Sequence, residues 1–532
     1  GQEGDEFQAL IRQTIQWEER QYLLTQLAGS HFLTDGGSLL FEWQATLSQA
    51  DRYAPDRREY DFTATSSATN PETLKAQYDF QSPNDQQTDL FNGFILEPGT
   101  IVRRYDELVD DNLDLSGKFV WDVFDSGVSF AQLTTGVQVI SRARDADSAT
   151  YGFNVNQVRD DLLRTSNLLV SDVVYSCDDA AASIECGAET ARGISNNANT
   201  GLVFVDKTLA SDSYDAELEY NSAYVMYDHT FDSSWQVIVG GRYETYKQIT
   251  NTFSLQGEQG SVQSVIDEDS ILPSVGVNWF VADTHQLRFA LSQTVARPDF
   301  KEAANATFYD NEFNVRVRGN PFLEISNIIN ADLRWEWYLS EIDNLSVALF
   351  YKDMDKPIER VVQAASGTAG NTRTFQNSDS AALYGVELDG RFEFILGDGY
   401  DQTLFFAFNA AFIESEVSAN NQEDRSLQGQ PEYTANLIFG YDHISAGHQL
   451  TVLLNQNGKS IADVGVSGQP DVFLEPRLDL NVVYRFGISD SLTLKAKLEN
   501  LLDDEIEYTQ GGQVFQVYNR GPSIQVGLDW QF

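Results

Sequence analysis

The sequence has little positive charge. Only 35 lysine and arginine residues stand against 80 acidic residues, and the formal net charge of the 532-residue chain is −45. This acidic balance excludes a nucleic-acid binder that relies on contacts to phosphates. It predicts a strongly hydrated surface with charged loops.

Long apolar runs are also missing. No stretch approaches the roughly 18 residues that a membrane-spanning helix needs. The first residues, GQEGDEFQAL, lack the basic and apolar regions of a signal peptide, so we expect such a peptide to have been removed or to lie upstream. The helical stretches that would separate the strands of a cytosolic α/β enzyme are scarce.

The common sequence motifs of catalysis are absent. There is no GxSxG, HExxH, P-loop or CxxC, and carboxylates are so numerous that close pairs arise by chance. The sequence therefore predicts that the protein is not an enzyme. Histidine is rare, and we interpret all five histidines as residues of turns or of one rim: His31, His229, His285, His443 and His448.

What the sequence does contain is alternation with a period of two. In GPSIQVGLDWQF the apolar positions are Ile524, Val526, Leu528, Trp530 and Phe532. The same alternation occurs in LTLKAKLEN, RLDLNVVYRF, TLFFAFNAAF and NLSVALFYK. Successive side chains of a strand face opposite sides, so each segment has one apolar and one polar face. An antiparallel sheet with one wet face explains this pattern.

The connections between these segments have two lengths. Short turns such as TDGG, FDSG, VADTH and YDHISAGH alternate with much longer segments. Short turns at one rim and long loops at the other are typical of outer-membrane barrels. A sheet in lipid must also close on itself, because lipid offers no hydrogen-bond partners. We therefore predict an all-β fold, a transmembrane antiparallel β-barrel.

The turn pattern predicts about 17 strands. Bacterial single-chain barrels have even numbers of strands, so an odd number needs an explanation. The predicted strands lie near 8–33, 38–64, 102–125, 128–154, 212–232, 234–255, 270–281, 285–297, 328–340, 343–364, 379–396, 401–418, 430–443, 446–460, 472–487, 489–500 and 520–532.

Several stretches carry a resemblance to a known family. In KLENLLDDEIEY, Asn500, Leu501, Leu502 and Asp503 are followed by Tyr508. The segment resembles one near the end of TonB-dependent outer-membrane receptors, with Leu502 where phenylalanine is usual. The terminal Trp530 and Phe532 are similar to that family's assembly signal. Further similar stretches are SQTVARPDF (292–300), RGNPFLEISNIINADLRWEWY (318–338), ALYGVELDGRFEF (382–394) and LQGQPEYTANLIFGYD (427–442).

The resemblance implies a barrel of twenty-two strands around a globular plug. Neither a plug nor a peptide for the energy-transducing partner is found before the first strand signal at 8–33. Residues 1–532 are therefore predicted to be the C-terminal portion of a larger receptor, with the missing strands and plug supplied by another segment or chain. A complete barrel of sixteen or eighteen strands is the alternative.

The resemblance also implies energised uptake of a scarce nutrient at the outer membrane of a Gram-negative bacterium. A TonB-type energy-transducing complex would act through the plug, and outer-membrane lipid and lipopolysaccharide would surround the barrel. A passive porin or structural outer-membrane barrel is the rival function. The ligand is not readable from the sequence. Candidate ligand-binding residues at the outer rim are Arg297, Phe308, Tyr309 and Asn320.

The longest predicted outer loop, 155–211, contains both cysteines. The oxidising exterior and the close spacing of Cys177 and Cys186 favour a local disulfide, whereas a metal pair would need further ligands. The acidic residues near 144–149 could hold Ca²⁺, which prefers oxygen ligands, although aspartate-rich loops are more often simply solvated. No other cofactor is expected.

Overall fold

A computed structural model describes residues 7–66, 95–96, 102–156, 201–252, 262–310, 315–364, 371–397, 399, 401–419 and 424–531. Most of these residues form one large antiparallel sheet, which we call the wall. Its strands are β1 (Phe7–Ile15), β2 (Glu19–Phe32), β3 (Leu39–Ser66), β5 (Val102–Asp125), β6 (Phe130–Asn156), β8 (Tyr214–Phe231), β9 (Trp235–Thr252), β10 (Val262–Ala282), β11 (His285–Ala296), β14 (Ser326–Tyr338), β15 (Asn344–Asp355), β18 (Ser380–Leu396), β19 (Gln402–Ser418), β20 (Tyr433–His443), β21 (His448–Asn457), β24 (Arg477–Ser489), β25 (Leu492–Glu499) and β28 (Ser523–Trp530).

Each wall strand pairs with its neighbour in the chain. Strands β1 and β2 both pair with β3, one after the other, and share one position. The wall therefore has 17 positions in the described residues, and the predicted all-β antiparallel fold with about 17 strands is confirmed. Two short strands, β4 (Ile95–Leu96) and β7 (Gly201–Asp206), extend the edges of β3 and β6.

The first and last positions of the wall are edges. Within the described part of the chain, β28 pairs only with β25 and β2 pairs only with β3. Apolar side chains at these edges are unusually open to the surroundings. Ile524 is 72% exposed and Leu27 is 64% exposed, whereas the interior-strand Leu349 is 51% exposed.

One face of the wall is continuously apolar. Directly paired residues share a face, and the pairs Leu333↔Leu349 and Leu349↔Val386 follow one another across three strands. The last strands continue the same face with Leu494 opposite Leu528. The opposite face carries the polar side chains. This outward apolar face confirms the predicted alternation and is the surface expected to meet lipid.

Eight short turns join strands at one end of the wall, which we call the short-turn rim. They lie between β2 and β3, β5 and β6, β8 and β9, β10 and β11, β14 and β15, β18 and β19, β20 and β21, and β24 and β25. The other end is uneven in height. Strands β3 and β6 have 28 and 27 residues, whereas β25 and β28 have 8 each. A bilayer crossing takes only about 9–11 residues.

Above the shorter strands lies a second sheet, which we call the crown. Its strands are β12 (Thr307–Asp310), β13 (Val315–Arg318), β16 (Ile358–Ala364), β17 (Asn371–Asn377), β22 (Ser460–Gly465), β23 (Val472–Leu474), β26 (Ile506–Gln510) and β27 (Gln513–Tyr518). They come from four separate long connections, in the order β12-β13-β17-β16-β22-β23-β26-β27. The parallel pairs β13–β17 and β16–β22 join different connections. Four loops are thereby tied into one body.

Helices are few. A 3₁₀ turn (Ala210–Asp212) and one short helix, α1 (Phe300–Ala303), are found in the described residues. None of the helices described has the length and hydropathy that crossing a membrane requires.

The outward face offers a direct test of membrane placement. Replacing Leu349 with arginine should cost about 2–4 kcal/mol, because this side chain lies near the middle of the apolar face. Asp353→Arg lies on the same face of the same strand but four residues closer to the long-connection end, so it should cost less than about 1 kcal/mol. Urea unfolding of the assembled receptor in lipid vesicles measures both. Equal costs would contradict the placement.

Candidate functional site

Arginines collect on the inward face of the wall, near the long-connection end. We call this set the arginine band: Arg20, Arg52, Arg57, Arg104, Arg142, Arg144, Arg242 and Arg297. Register places these side chains opposite one another on neighbouring strands, for example Arg20↔Arg52 and Arg57↔Arg104. A chain with 35 basic and 80 acidic residues thus concentrates its guanidinium groups inside the barrel.

The centre of the band is a carboxylate shared by two arginines. Arg142 donates two hydrogen bonds of 2.7 Å to Asp110, and Arg144 donates a third of 2.5 Å. The Asp110 side chain is only 8% exposed. The guanidinium carbons of Arg142 and Arg144 lie 5.0 and 5.2 Å from the centroid of the Phe300 ring. Arg144 also donates to Asp299 at 3.2 Å, so the two guanidinium groups lie between two carboxylates.

The same arrangement recurs at Glu244. Arg242 and Arg297 each donate a hydrogen bond of 2.7 Å to its carboxylate, and the side chain is 7% exposed. Tyr220 donates a further hydrogen bond of 2.7 Å to the same group. Arg297 also lies 4.6 Å from the ring centroid of Tyr246. The site is rigid because almost every polar atom in it has a fixed partner.

A third shared carboxylate is Glu18, which accepts from Arg20 at 2.5 Å and from Arg52 at 3.0 Å. Here the band borders a cavity of about 420 Å³ between the inner wall and the segment that follows α1. Lys301 and Phe308 close the cavity from that side, with the lysine Nζ 4.9 Å from the ring centroid. Burial lowers the pKa of Lys301. The volume falls within the range of small-molecule sites.

The segment between β11 and β14 contains the four residues predicted from the sequence. Arg297 is part of the arginine band and is not an exposed rim residue, because its side chain is only 17% exposed. Phe308 lines the cavity and packs edge-to-face on Tyr214, with centroids 5.7 Å apart. Tyr309 lies beside it in β12, opposite Arg316. The ligand-binding role of these residues stays a prediction.

Asn320 has a structural part in this segment. Its side chain donates to the Phe375 carbonyl at 2.9 Å and accepts from the Phe322 amide at 3.0 Å. The preceding Gly319 lies against α1, where a Cβ atom would come within 2.0 Å of the Ala304 carbonyl oxygen. Only glycine permits so close an approach of two backbones. The glycine-asparagine segment thus connects α1 to the crown.

Other predicted features fall outside the described residues. These are Cys177, Cys186 and Phe532, so the disulfide stays a prediction. Trp530 lies on the outward face of β28 and is 70% exposed. In the part of the chain that the structure describes, no three acidic, histidine or cysteine side chains gather as metal ligands. The acidic stretch 144–149 lies within β6 and not in a loop, and calcium binding there remains a prediction.

Buried ions also hold the crown together. Asp463, which is fully buried, accepts from Arg360 at 2.5 Å and pairs with the buried Arg373. Asp310 lies 3.6 Å from Arg373. These residues belong to three of the four connections that build the crown, so the cluster binds the loops to one another.

A second buried carboxylate, Glu359, lies at the base of the crown. It accepts from Arg425 at 2.7 and 2.8 Å and from Ser378 at 2.5 Å. Burial alone would raise the pKa of Glu359, but the hydrogen bonds from Arg425 and Ser378 outweigh it and hold that pKa below its ordinary value of 4.5. Ionised Glu359 therefore stabilises the folded crown.

This lowered pKa predicts a loss of crown stability in acid. The contribution is fully present above about pH 4.5, the ordinary value, and is lost as pH falls through the lower folded pKa. Amide exchange in β16 and β17, corrected for intrinsic rates, should be constant from neutral pH to about pH 5 and should rise below about pH 4.5. Glu359→Gln should weaken protection at neutral pH and reduce the acid response. An unchanged acid response in that variant would assign it to other groups.

Residues 19–501 match the family model "TonB dependent receptor-like, beta-barrel". The chain belongs to the TonB-dependent receptor family. These are receptors and transporters of the Gram-negative outer membrane, and the predicted family and location are confirmed.

The receptor resembles curated and solved proteins only in part. An iron-regulated outer membrane virulence protein of Vibrio cholerae serotype O1 is 26% identical over 229 residues, 41% of this chain and 32% of that protein. The siderophore receptor PiuA from Acinetobacter baumannii has a TM-score of 0.57 at 12% identity, covering 97% of this chain and 66% of its own. The ferric-catecholate import receptor Fiu from E. coli K12 has a TM-score of 0.52 at 12% identity, covering 94% and 65%. The chain thus spans just under two thirds of the length of these solved receptors, and the likeness shows the fold.

The sequence did not point to the arginine band. Its one visible signal is the spacing of Arg142 and Arg144, two residues apart, which places both on the same face of a strand. Which carboxylates they meet depends on strand register and cannot be read from the chain.

Proposed function

We propose that this chain is the C-terminal barrel portion of a receptor that takes up a scarce nutrient across the outer membrane. The arginine band is the observation that supports an anionic ligand. Guanidinium groups form paired, charge-assisted hydrogen bonds with carboxylates and other oxyanions. Arg20 and Arg52 share one carboxylate at the cavity and remain 75% and 30% exposed, so an anionic ligand can bind to their guanidinium groups there. An anionic iron chelate fits this chemistry and agrees with the iron-regulated and siderophore-receptor relatives.

The open edges support completion of the wall by further strands. In lipid, an unpaired strand leaves amide and carbonyl groups without hydrogen bonds, at several kcal/mol per group. The wall has 17 positions and both β2 and β28 are edges, so we propose that a plug-bearing segment supplies the rest, about five strands if the closed barrel has the family's twenty-two. That segment belongs to the same gene product or to a separate chain.

Energy would reach the barrel through that plug. A TonB-type complex of the inner membrane would act on the plug once the ligand is bound, and the wall would provide the path and the outer mouth. Lipopolysaccharide and phospholipid would surround the apolar face.

Uptake of radiolabelled iron bound to a tris-catecholate chelate tests the function in cells that carry the complete receptor. We expect uptake that stops when the proton gradient is dissipated by an ionophore. Uptake that persists without the gradient, together with size-limited diffusion in liposomes, would support the passive porin instead.

Purification from the native membrane tests the completion of the wall. Mass spectrometry should identify a polypeptide that carries the plug and the remaining strands. A density map in which β28 pairs directly with β2 would contradict this part of the proposal without affecting the ligand class.

A further inference from the structure

All the histidines and nearly all the tryptophans lie in one zone of the molecule. All five histidines of the chain lie within a few residues of the short-turn rim, and so do all the tryptophans except Trp17. The zone also lies on one face. His229 is opposite Val237, His285 is opposite Trp337, and His443 is opposite His448, which puts these imidazoles on the outward apolar face. We call the five histidines and their aromatic neighbours the histidine belt.

Aromatic stacking fixes the planes of the imidazole rings. His229 lies 3.7 Å from Phe231 and His448 lies 4.6 Å from Phe486, both stacked. His285 is stacked with Trp335 and Trp337 at 5.8 and 5.7 Å. The rings are therefore held in the sheet surface and do not extend freely into water.

Each of four histidines uses one ring nitrogen within the protein. His31 Nε2 accepts from Trp43 at 3.2 Å. The Nδ1 atoms of His229 and His448 lie 3.0 and 2.8 Å from the hydroxyls of Tyr227 and Tyr484. In the described part of the chain, the other nitrogen of these three rings has no hydrogen-bond partner. An imidazole offers two nitrogens for hydrogen bonding, so one remains directed at the surroundings.

His443 differs because its Nε2 lies 3.3 Å from Asp401. This is the one carboxylate that faces a histidine of the belt among the described contacts. The partners of the remaining histidines are aromatic rings and neutral hydroxyl or indole groups.

We infer that the histidine belt binds the phosphate groups of glycerophospholipids. The belt lies where the apolar face ends at the short-turn rim, which in outer-membrane barrels is the periplasmic side. Aromatic residues at that level meet the headgroup region. There, the second ring nitrogen of His31, His229 and His448 donates a hydrogen bond to lipid phosphate oxygens in the tautomer that protonates it, and these oxygens are strong acceptors.

The leaflet in which the histidine belt lies determines whether it contacts phospholipid or lipopolysaccharide. Lipopolysaccharide occupies the outer leaflet, at the long-connection end of the wall, where the outward face carries Tyr243, Tyr351 and Tyr384 and no histidine. The histidine belt lies at the opposite, periplasmic leaflet, so phospholipid is the ligand that we infer. This inference does not depend on which nutrient is transported.

The test compares two sets of substitutions in the complete receptor purified from its own membrane. The first is H31F/H229F/H448F, which keeps an aromatic ring at each position and removes the nitrogen atoms. The matched control is Y243F/Y351F/Y384F, which removes three outward hydroxyls at the other end. Glycerophospholipid and lipopolysaccharide retained per chain after detergent washing are measured by mass spectrometry.

We expect the histidine variant to retain less glycerophospholipid by roughly threefold or more, as the loss of a hydrogen bond at each position implies. Its lipopolysaccharide content should not change, and the tyrosine variant should retain normal glycerophospholipid. Unchanged retention in the histidine variant, or equal losses in both variants, would overturn the inference. If the triple variant loses the compact mobility of a folded barrel on electrophoresis, the single variant H448F is measured in the same way and must show a partial loss.

Discussion

Replacing Asp463 with alanine should cost the crown about 3–5 kcal/mol, because the change removes the carboxylate that pairs with the buried Arg373. Arg373 is 2% exposed and Arg360 donates to Asp463 at 2.5 Å. Arg360 is 28% exposed, so most of the cost arises at Arg373, which lies in the strand paired with β16. The loss should therefore separate the hairpins of the crown and leave the wall in place.

Amide exchange localises this effect. Protection in β16, β17 and β22 should fall by two to three orders of magnitude, on the scale of about 1.4 kcal/mol for each factor of ten, while β14 and β15 in the wall keep theirs. Glu324→Ala is the matched control, since its ion pair with Lys356 is solvent-exposed and should contribute less than about 1 kcal/mol. A change of that small size in the Asp463 variant would show that the cluster does not join the loops.

Replacing Arg144 with glutamine should weaken binding of an anionic ligand by about tenfold or more, because a charge-assisted hydrogen bond contributes about 1.5–3 kcal/mol. The fold should survive. Asp110 keeps its two 2.7 Å hydrogen bonds from Arg142, so no buried carboxylate is left without a partner. Equilibrium binding of a ferric tris-catecholate chelate to the complete receptor measures the change.

Asp110→Asn separates a ligand role from a structural one. This variant removes a negative charge next to two arginines, so binding of the anion should be retained or strengthened, and added salt should weaken it. If the arginine band only braced the wall, both Arg144→Gln and Asp110→Asn would lower stability and neither would change affinity selectively. Arg334→Gln, far from the cavity and closer to the short-turn rim, serves as a control.

Local signals predicted the wall well. Alternation over a few residues decides which face of a strand is apolar, so Leu349, Leu494 and Val526 lie on the predicted face. Turn residues determine where strands reverse, and the eight short turns lie where the sequence predicted them. The rim position of all five histidines is likewise confirmed, because it depends only on their distance from a turn.

The crown could not be predicted because its strands pair across separate loops. Val317 lies next to Arg373, and Val361 next to Val464, at sequence separations of tens of residues or more. The predicted strand 343–364 instead ends at Asp355 and resumes in the crown at Ile358. Loop sequences have no periodic pattern from which the pairing of strands in separate loops can be predicted.

The same limit explains the prediction for Arg297. The sequence placed it on an exposed rim, since it ends the predicted strand 285–297. Its partner, Glu244, lies on β9, 53 residues away, and the fold turns the arginine inward. A single sequence shows which residues can carry charge but not which charges meet.

The unequal length of the wall strands gives the receptor a lopsided profile above the membrane. A strand of 28 residues at a tilt of about 45° rises roughly 65 Å, about twice the thickness of the hydrocarbon layer. The side formed by β3, β5 and β6 therefore projects far above the membrane, whereas the wall strands β25 and β28 end close to the lipid. A particle that approaches from outside meets the ends of these long strands on one side and the crown on the other, so variation that evades such particles should concentrate at these two surfaces.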